Sequence, residues 1–138
     1  EACTSHFYKA DIAVMAAAVA DYSPTEVSKE KIKKSEPELS VQLSKTKDIL
    51  LELGKLKTQN QILVGFALET NNEIENARKK LYTKNLNFIV LNSLNDKQTG
   101  FGFDTNKISV LSNAGAELHF DLKSKANVAS DIFDLIGS

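Results

Sequence analysis

Asp11–Lys34 reads DIAVMAAAVADYSPTEVSKEKIKK. It opens as an uncharged run, Ile12 to Ala20, and closes on four lysines within six residues, Lys29, Lys31, Lys33 and Lys34. One carboxylate, Asp21, and one phenol, Tyr22, stand between them. A short, continuous apolar run predicts a strand covered on both faces, placed at Asp11–Ala18 and ended by Tyr22-Ser23-Pro24. Alanine richness makes helix the rival reading. Shortness, and the helix-like Ala2–Lys9 just before, favour the strand. Ser23–Glu38, polar and lysine-rich with two prolines, reads as a long loop. At that length it is of the functional or disordered kind.

Working outward, Leu39–Leu43 alternates apolar and polar residues and predicts a short, half-exposed strand. Lys47–Leu56 predicts a helix capped by Thr46, with Ile49, Leu50, Leu53 and Leu56 on one face. Gln61–Ala67 (QILVGFA) and Asn87–Leu91 predict two more buried strands. Between them a helix runs to about Lys84, entered through a capping box at Thr70-Asn71-Asn72-Glu73 or at Asn72 and Glu75. Lys107–Leu111 and Ala116–His119 predict a hairpin across Asn113-Ala114-Gly115. Ser124–Ile136 closes as a helix with Val128, Ile132, Leu135 and Ile136 inward. Alternating strands and helices give an α/β fold: a Rossmann-like, three-layer αβα arrangement with a mostly parallel sheet and an antiparallel hairpin at one edge.

The 138 residues suit one domain, 42% hydrophobic and 25% charged, with net charge −1. That balance offers no global field for nucleic acid, so any anion site is local. No apolar run approaches the ~18 residues of a membrane span. The start lacks a signal-peptide pattern, and a cytoplasmic location is expected. One cysteine, Cys3, excludes an internal disulfide framework; His6 and His119 have no ligand spacing. The opening EACTSHFYKADIAV reads as the end of one unit entering a strand. The expectation is a single α/β domain over 1–138 whose N-terminal strand and glycine-rich loop lie outside this chain.

Ligands of an open parallel sheet bind beyond the strands' carboxyl ends. Asp21 and Tyr22 follow the first predicted strand, Glu69, Thr70 and Asn71 the second, and Asn92 the third. Such residues serve equally as turns and caps, most of all Thr70, Asn71 and Asn72. Asp21 has no helix directly after it to cap. The Lys29–Lys34 cluster offers charge to a triphosphate, although a lysine run is more often a solvated loop. Lys80 and Lys84, at i and i+4, form a second basic pair that also suits a helix C-terminus. The helix start at Lys47-Asp48-Ile49 offers amides to an anion. There is no G-x-G-x-x-G and no Walker loop.

Six motifs stand in order: AAAVADY (Ala16–Tyr22), EKIKK (Glu30–Lys34), K-x-x-D-I-L (Lys45–Leu50), VGFA-x-ET (Val64–Thr70), AR-x-KL-x-x-K (Ala77–Lys84) and GFG-x-D-x-N (Gly100–Asn106). In this the chain resembles the phosphopantothenoylcysteine synthetase domain of bacterial coenzyme A biosynthesis. That domain is commonly fused behind an FMN-dependent decarboxylase. The resemblance implies CTP-dependent ligation of 4′-phosphopantothenate with cysteine through an acyl-cytidylate, assisted by Mg²⁺. FMN would belong only to the decarboxylase half of a bifunctional parent. Carried over by position, Met15, Ala16, Ala17 and Ala18 form a strand-end wall for the nucleotide, and Asp21 contacts it at the ribose. Lys31 reaches the triphosphate and is the catalytic candidate. Lys47, Asp48, Ile49 and Leu50 meet CTP at the helix start, Phe66 lies against cytosine, and Lys80 and Lys84 reach the phosphates. No metal ligands are implied. A homodimer is expected, with Lys107–His119 as candidate interface.

The chain departs from the family at Thr46-Lys47, where Asn-Pro is usual, and at Leu68. It departs again at Leu91-Asn92-Ser93, where Ala-Asn-Asp is usual, and at Phe103. The arginine and asparagine motif for phosphopantothenate is not in the chain, which therefore holds most of the CTP half of the site. Two alternatives remain open on the residues alone: an NAD(P)-binding Rossmann-like reductase fragment, and a non-catalytic nucleotide-binding module.

Overall fold

The computed structural model describes residues 2–32, 39–93 and 102–137. Lys33, Lys34, Gly100 and Phe101 of the motifs above lie outside the described residues. The strands are Ile12–Met15 (β1), Tyr22–Pro24 (β2), Leu43–Lys45 (β3), Ile62–Glu69 (β4), Phe88–Ser93 (β5), Thr105–Ser112 (β6) and Glu117–Ser124 (β7). The α-helices are Ala2–His6 (α1), Ile49–Leu56 (α2), Glu73–Thr83 (α3) and Lys125–Gly137 (α4), and Phe7–Lys9 adds a 3-10 turn. The chain divides into two compact units, Glu1–Ala16 with Ile49–Ser138, and Ala17–Asp48.

The first unit carries a sheet in the order β1-β4-β5-β6-β7. β1, β4 and β5 are parallel; β6 and β7 are antiparallel to their neighbours. This is the predicted parallel sheet with its hairpin at one edge. β4 and β5 are apolar at consecutive positions because both faces are covered. Leu63, Ala67, Ile89, Leu91 and Leu111 face Phe7, Leu53, Ala77 and Leu81. Val64, Val90, Ile108 and Val110 face Val128, Ile132 and Ile136 of α4. The alternation within each strand thus makes three layers: helices, sheet, helix.

The helix ends are written in local chemistry. Lys84 closes α3, and Asn85 follows at φ 52°. There Leu86 N–H donates to the Leu81 carbonyl at 2.9 Å and Asn85 N–H to that of Tyr82 at 3.1 Å. That pairing around a left-handed residue is a Schellman ending, with buried Leu81 against buried Leu86. The Ser124 hydroxyl accepts from Asn127 N–H and caps α4.

Five local expectations are corrected. The first strand stops at Met15, and Ala16, Ala17 and Ala18 are exposed, because its ladder with β4 ends at Met15–Gly65 and alanines bury too little surface to extend it. Tyr22–Pro24 is itself a strand, and Leu43–Lys45 pairs with it, where Leu39–Leu43 was expected. Alternation marks a face, not a partner. Thr46 does not cap α2; its N–H donates to the Asp21 carbonyl and its hydroxyl to that of Ala20. Asn72 starts α3 in the left-handed region without a side-chain cap, and Asn76 Nδ2 instead donates to the Asn71 carbonyl at 2.9 Å. Leu56, the last residue of α2, is exposed.

At the amino ends of the strands a buried amide holds three segments together. Gln61 Nε2 donates to the Phe7 and Ala10 carbonyls, each at 2.8 Å, and Oε1 accepts from Thr58 N–H and hydroxyl. Gln61→Leu is expected to cost about 2 kcal/mol, because two hydrogen bonds are lost, at the Phe7 and Ala10 carbonyls, and Thr58 N–H loses its acceptor. A lower urea midpoint at unchanged slope reports it, and an unchanged midpoint rejects it. Lys57 lies at the same end, donating to Asn87 Oδ1, and burial lowers its pKa below the usual lysine value.

The second unit, Ala17–Asp48, is built on the β2–β3 ladder. Its two strands exchange bonds over Tyr22–Lys45, Ser23–Ser44 and Pro24–Leu43, extended by Thr25 N–H to the Gln42 carbonyl. Val19, Tyr22, Val27, Ile32, Leu39, Val41 and Leu43 are all exposed, so backbone bonds rather than a core shape it.

Candidate functional site

In the sheet unit the carboxyl ends are Met15 of β1, Phe66–Glu69 of β4 and Leu91–Ser93 of β5. β6 runs the other way and begins at the same level. Register sets Leu68 beside Asn92 and Asn92 beside Ile108. Such a rim is where an open parallel sheet receives a ligand.

Alternation divides the rim between the two faces. Met15, Ile49 and Leu50 pack on the cluster of Leu53 and Leu63, while Phe66 packs on that of Val64 and Val90. Gly65 lets Leu50 and Leu86 close over the sheet on the first of these faces: a Cβ there would stand 2.7 Å from Leu50 Cδ2 and 2.9 Å from Leu86 Cδ1. The side chains of Ile49 and Leu50 are therefore packing groups. What the start of α2 has to offer a ligand is backbone amide, as its sequence suggested.

Glu69, the last residue of β4, accepts a hydrogen bond from Lys80 Nζ at 2.6 Å. Asn76 Nδ2 stands 3.5 Å from the other oxygen of that carboxylate. Lys84 is placed elsewhere. It closes α3 at the end remote from Glu69, and its carbonyl lies against Gly54 of α2. The i, i+4 pair is thus separated, with Lys80 at the rim and Lys84 at the helix C-terminus.

On the other side of the rim, Asn106 Nδ2 donates to Asn92 Oδ1 at 2.9 Å, and Asn106 Oδ1 accepts from Lys107 N–H. Asn106 is buried, and the β6–β7 register slips between Asn106 and Ile108. Asn92 was named in the sequence as a strand-end group; Asn106 and Asn76 were missed. Asn106 was legible as the last letter of the Gly100–Asn106 motif, but nothing in that spacing says it meets Asn92.

The second unit carries Ala17, Ala18, Asp21, Lys31, Lys47 and Asp48, all exposed. The bonds from Thr46 to the Ala20 and Asp21 carbonyls set Asp21 at the same end of the β2–β3 ladder as Lys47 and Asp48. Lys31 lies in the connection leaving the other end of that ladder. Among the described residues no three His, Cys, Asp or Glu side chains group as a metal site. Among them, too, no helix is long and apolar enough to cross a membrane.

Residues 1–138 match the family described as DNA/pantothenate metabolism flavoprotein C-terminal domain. A cysteine/cysteine sulfinic acid decarboxylase of an unknown prokaryotic organism is 51% identical over 132 residues, 96% of this chain and 37% of that protein. The coenzyme A biosynthesis bifunctional protein CoaBC of Bacillus subtilis (strain 168) is 41% identical over 138 residues, 100% of this chain and 34% of that protein. The chain thus spans about a third of the length of these curated relatives. A crystal structure of the C-terminal domain of CoaBC superposes with a TM-score of 0.77 at 34% identity, covering 98% of this chain and 57% of that one. By its fold, its ordered motifs and this full-length match, the chain belongs to the family of DNA/pantothenate metabolism flavoprotein C-terminal domains.

Proposed function

We propose that the chain supplies the CTP-binding part of a phosphopantothenate–cysteine ligase of coenzyme A biosynthesis. The observation that carries this reading is the match of all 138 residues to a protein named for coenzyme A biosynthesis. The positions of Met15, Phe66 and Lys80 at one rim of the sheet support it.

The reaction joins two substrates in two steps. A carboxylate oxygen of 4′-phosphopantothenate attacks the α-phosphorus of CTP, and pyrophosphate leaves. The cysteine amine then attacks the acyl carbon of the acyl-cytidylate. CMP leaves, the amine loses a proton, and 4′-phosphopantothenoylcysteine remains. In this reading Met15 to Ala18 wall the nucleotide, Asp21 meets the ribose, and Phe66 lies against cytosine. Lys47 to Leu50 contribute the start of α2. Lys31 neutralises charge that develops on the triphosphate, and Lys80, at the rim, binds its phosphates.

Mg²⁺ fits this chemistry without a protein cage, because it keeps several waters and binds chiefly through substrate phosphates. FMN belongs to a decarboxylase half outside this chain. A homodimer through the β6–β7 hairpin suits the outer strand β7, which is paired on one side and exposes Leu118 and Leu122.

The 51% relative favours a second reading, in which the whole protein is a decarboxylase and this chain a non-catalytic nucleotide-binding module. Calorimetric titration of Mg²⁺ and CTP into the full-length protein, with ATP as control, tests the first. Selective CTP binding with pyrophosphate release on adding phosphopantothenate is expected. CTP binding without turnover would favour the module. No binding by folded protein, or equal binding of ATP, would reject the CTP site.

A further inference from the structure

Lys80 lies seven residues into α3 from Glu73, about 10 Å along a helix that starts just beyond β4. At that depth its ammonium is not automatically at the rim. Two features bring it there. Helical side chains lean toward the helix N-terminus, here the rim. Glu69, at the carboxyl end of β4, then takes the ammonium at 2.6 Å.

The two partners differ in exposure. The Glu69 side chain is 15% exposed and that of Lys80 43%. The carboxylate faces inward, beside Asn76, whose Nδ2 is anchored on the Asn71 carbonyl. The lysine side chain keeps part of its surface open to solvent. A lysine has three N–H donors, and one of them engages Glu69.

We propose that Glu69 is a positioning residue: it holds the Lys80 ammonium at the strand-end rim with donors directed outward, ready for a phosphate group of the nucleotide. The proposal rests on the reading above, in which Lys80 meets the triphosphate. Glu69 itself touches no phosphate and acts through Lys80. Without Lys80, a carboxylate at this rim would repel an anion. The sign of the effect of removing Glu69 therefore separates positioning from simple electrostatics.

The test is made on the full-length protein. Dissociation constants for CTP with Mg²⁺ are measured by calorimetry and kcat by pyrophosphate release. Glu69→Gln removes the charge at constant shape and is expected to weaken CTP binding roughly tenfold, with kcat within about twofold. Lys80→Met is expected to weaken binding at least as much. The double variant should bind no worse than Lys80→Met alone, because Glu69 has then lost the group it acts through. Glu69→Asp, which keeps the charge but shortens the reach, should fall between wild type and Glu69→Gln. It also serves should Glu69→Gln fold poorly. Unchanged or tighter binding in the Glu69 variants, with Lys80→Met still weakened, would overturn the positioning role alone. Unchanged binding in Lys80→Met would overturn the nucleotide role of Lys80 and this proposal with it.

Discussion

Replacing Lys31 with alanine in the full-length protein is expected to lower the rate of pyrophosphate release by about 10²- to 10³-fold, the loss typical when one preorganised charge-stabilising donor is removed. The fold should not notice. Lys31 is exposed, and it lies in the connection between β2 and β3, in a unit whose described large apolar side chains are also exposed. Deleting an exposed side chain from such a segment changes stability by roughly 0.5 kcal/mol or less. The reaction asks more of it. As the bond from α-phosphorus to the pyrophosphate oxygen breaks, negative charge gathers on the leaving group, and an ammonium that meets it there lowers the barrier more than it tightens ground-state binding. The expected signature is a fall in single-turnover rate at nearly unchanged CTP affinity and melting temperature. Lys31→Arg keeps the charge but replaces a compact ammonium with a planar fork, so partial recovery is expected. A single-turnover rate within about threefold of wild type in Lys31→Ala would remove Lys31 from the catalytic step.

The parts of the fold legible in the sequence are those that bury apolar surface. QILVGFA and NFIVL are short, apolar at consecutive positions and bounded by polar residues, and they became β4 and β5. The hairpin announced itself through Asn113-Ala114-Gly115, and Gly115 does adopt φ 95°. The β2–β3 pair was not legible for the converse reason. Its strands have three residues each, held by backbone bonds with side chains exposed, so no hydrophobic pattern records the partner. The alternation at Leu39–Leu43 was real, but only its last residue, Leu43, belongs to the paired strand. The alanines after Met15 read as strand because they are apolar, yet each carries too little area to require cover.

The rim was legible as a place and less so as a set of contacts. The strand-end rule found Glu69 and Asn92 as positions. The Glu69–Lys80 bond crosses a strand end, a turn and two helical turns, and the Asn92–Asn106 bond needs the antiparallel pairing of β5 with β6. Neither follows from spacing. Lys80 and Lys84 show the reverse hazard: i, i+4 spacing suggested one pair, while the Schellman ending gives Lys84 a separate place beside α2.

That junction gives the second large effect. Gly54→Ala is expected to lower stability by about 3 kcal/mol, the upper end of the usual cost of overpacking. Helix propensity alone predicts the opposite sign, since alanine in a helix interior is favoured over glycine by about 1 kcal/mol. Geometry decides between them. A Cβ on Gly54 would lie 1.9 Å from the Lys84 carbonyl oxygen and 2.9 Å from its carbon. That carbonyl is backbone at a Schellman ending, fixed by the Leu81–Leu86 bond, so it cannot swing aside like the end of a side chain. Relief requires α2 and α3 to separate. Separation breaks the bond from Asn85 Nδ2 to the Gly54 carbonyl, now 2.8 Å, and loosens buried Leu53 and Leu81. It also moves the two helices that carry Leu50 and Lys80 to the rim, so weaker CTP binding should accompany the lower melting temperature. Gly137→Ala is the control: nothing lies within 4 Å of its Cβ position, and no loss is expected there. Thermal melts of the two variants side by side test the argument. A Gly54→Ala protein as stable as wild type would mean that α2 and α3 do not approach as described, and the separation of Lys80 from Lys84 would fall with that contact.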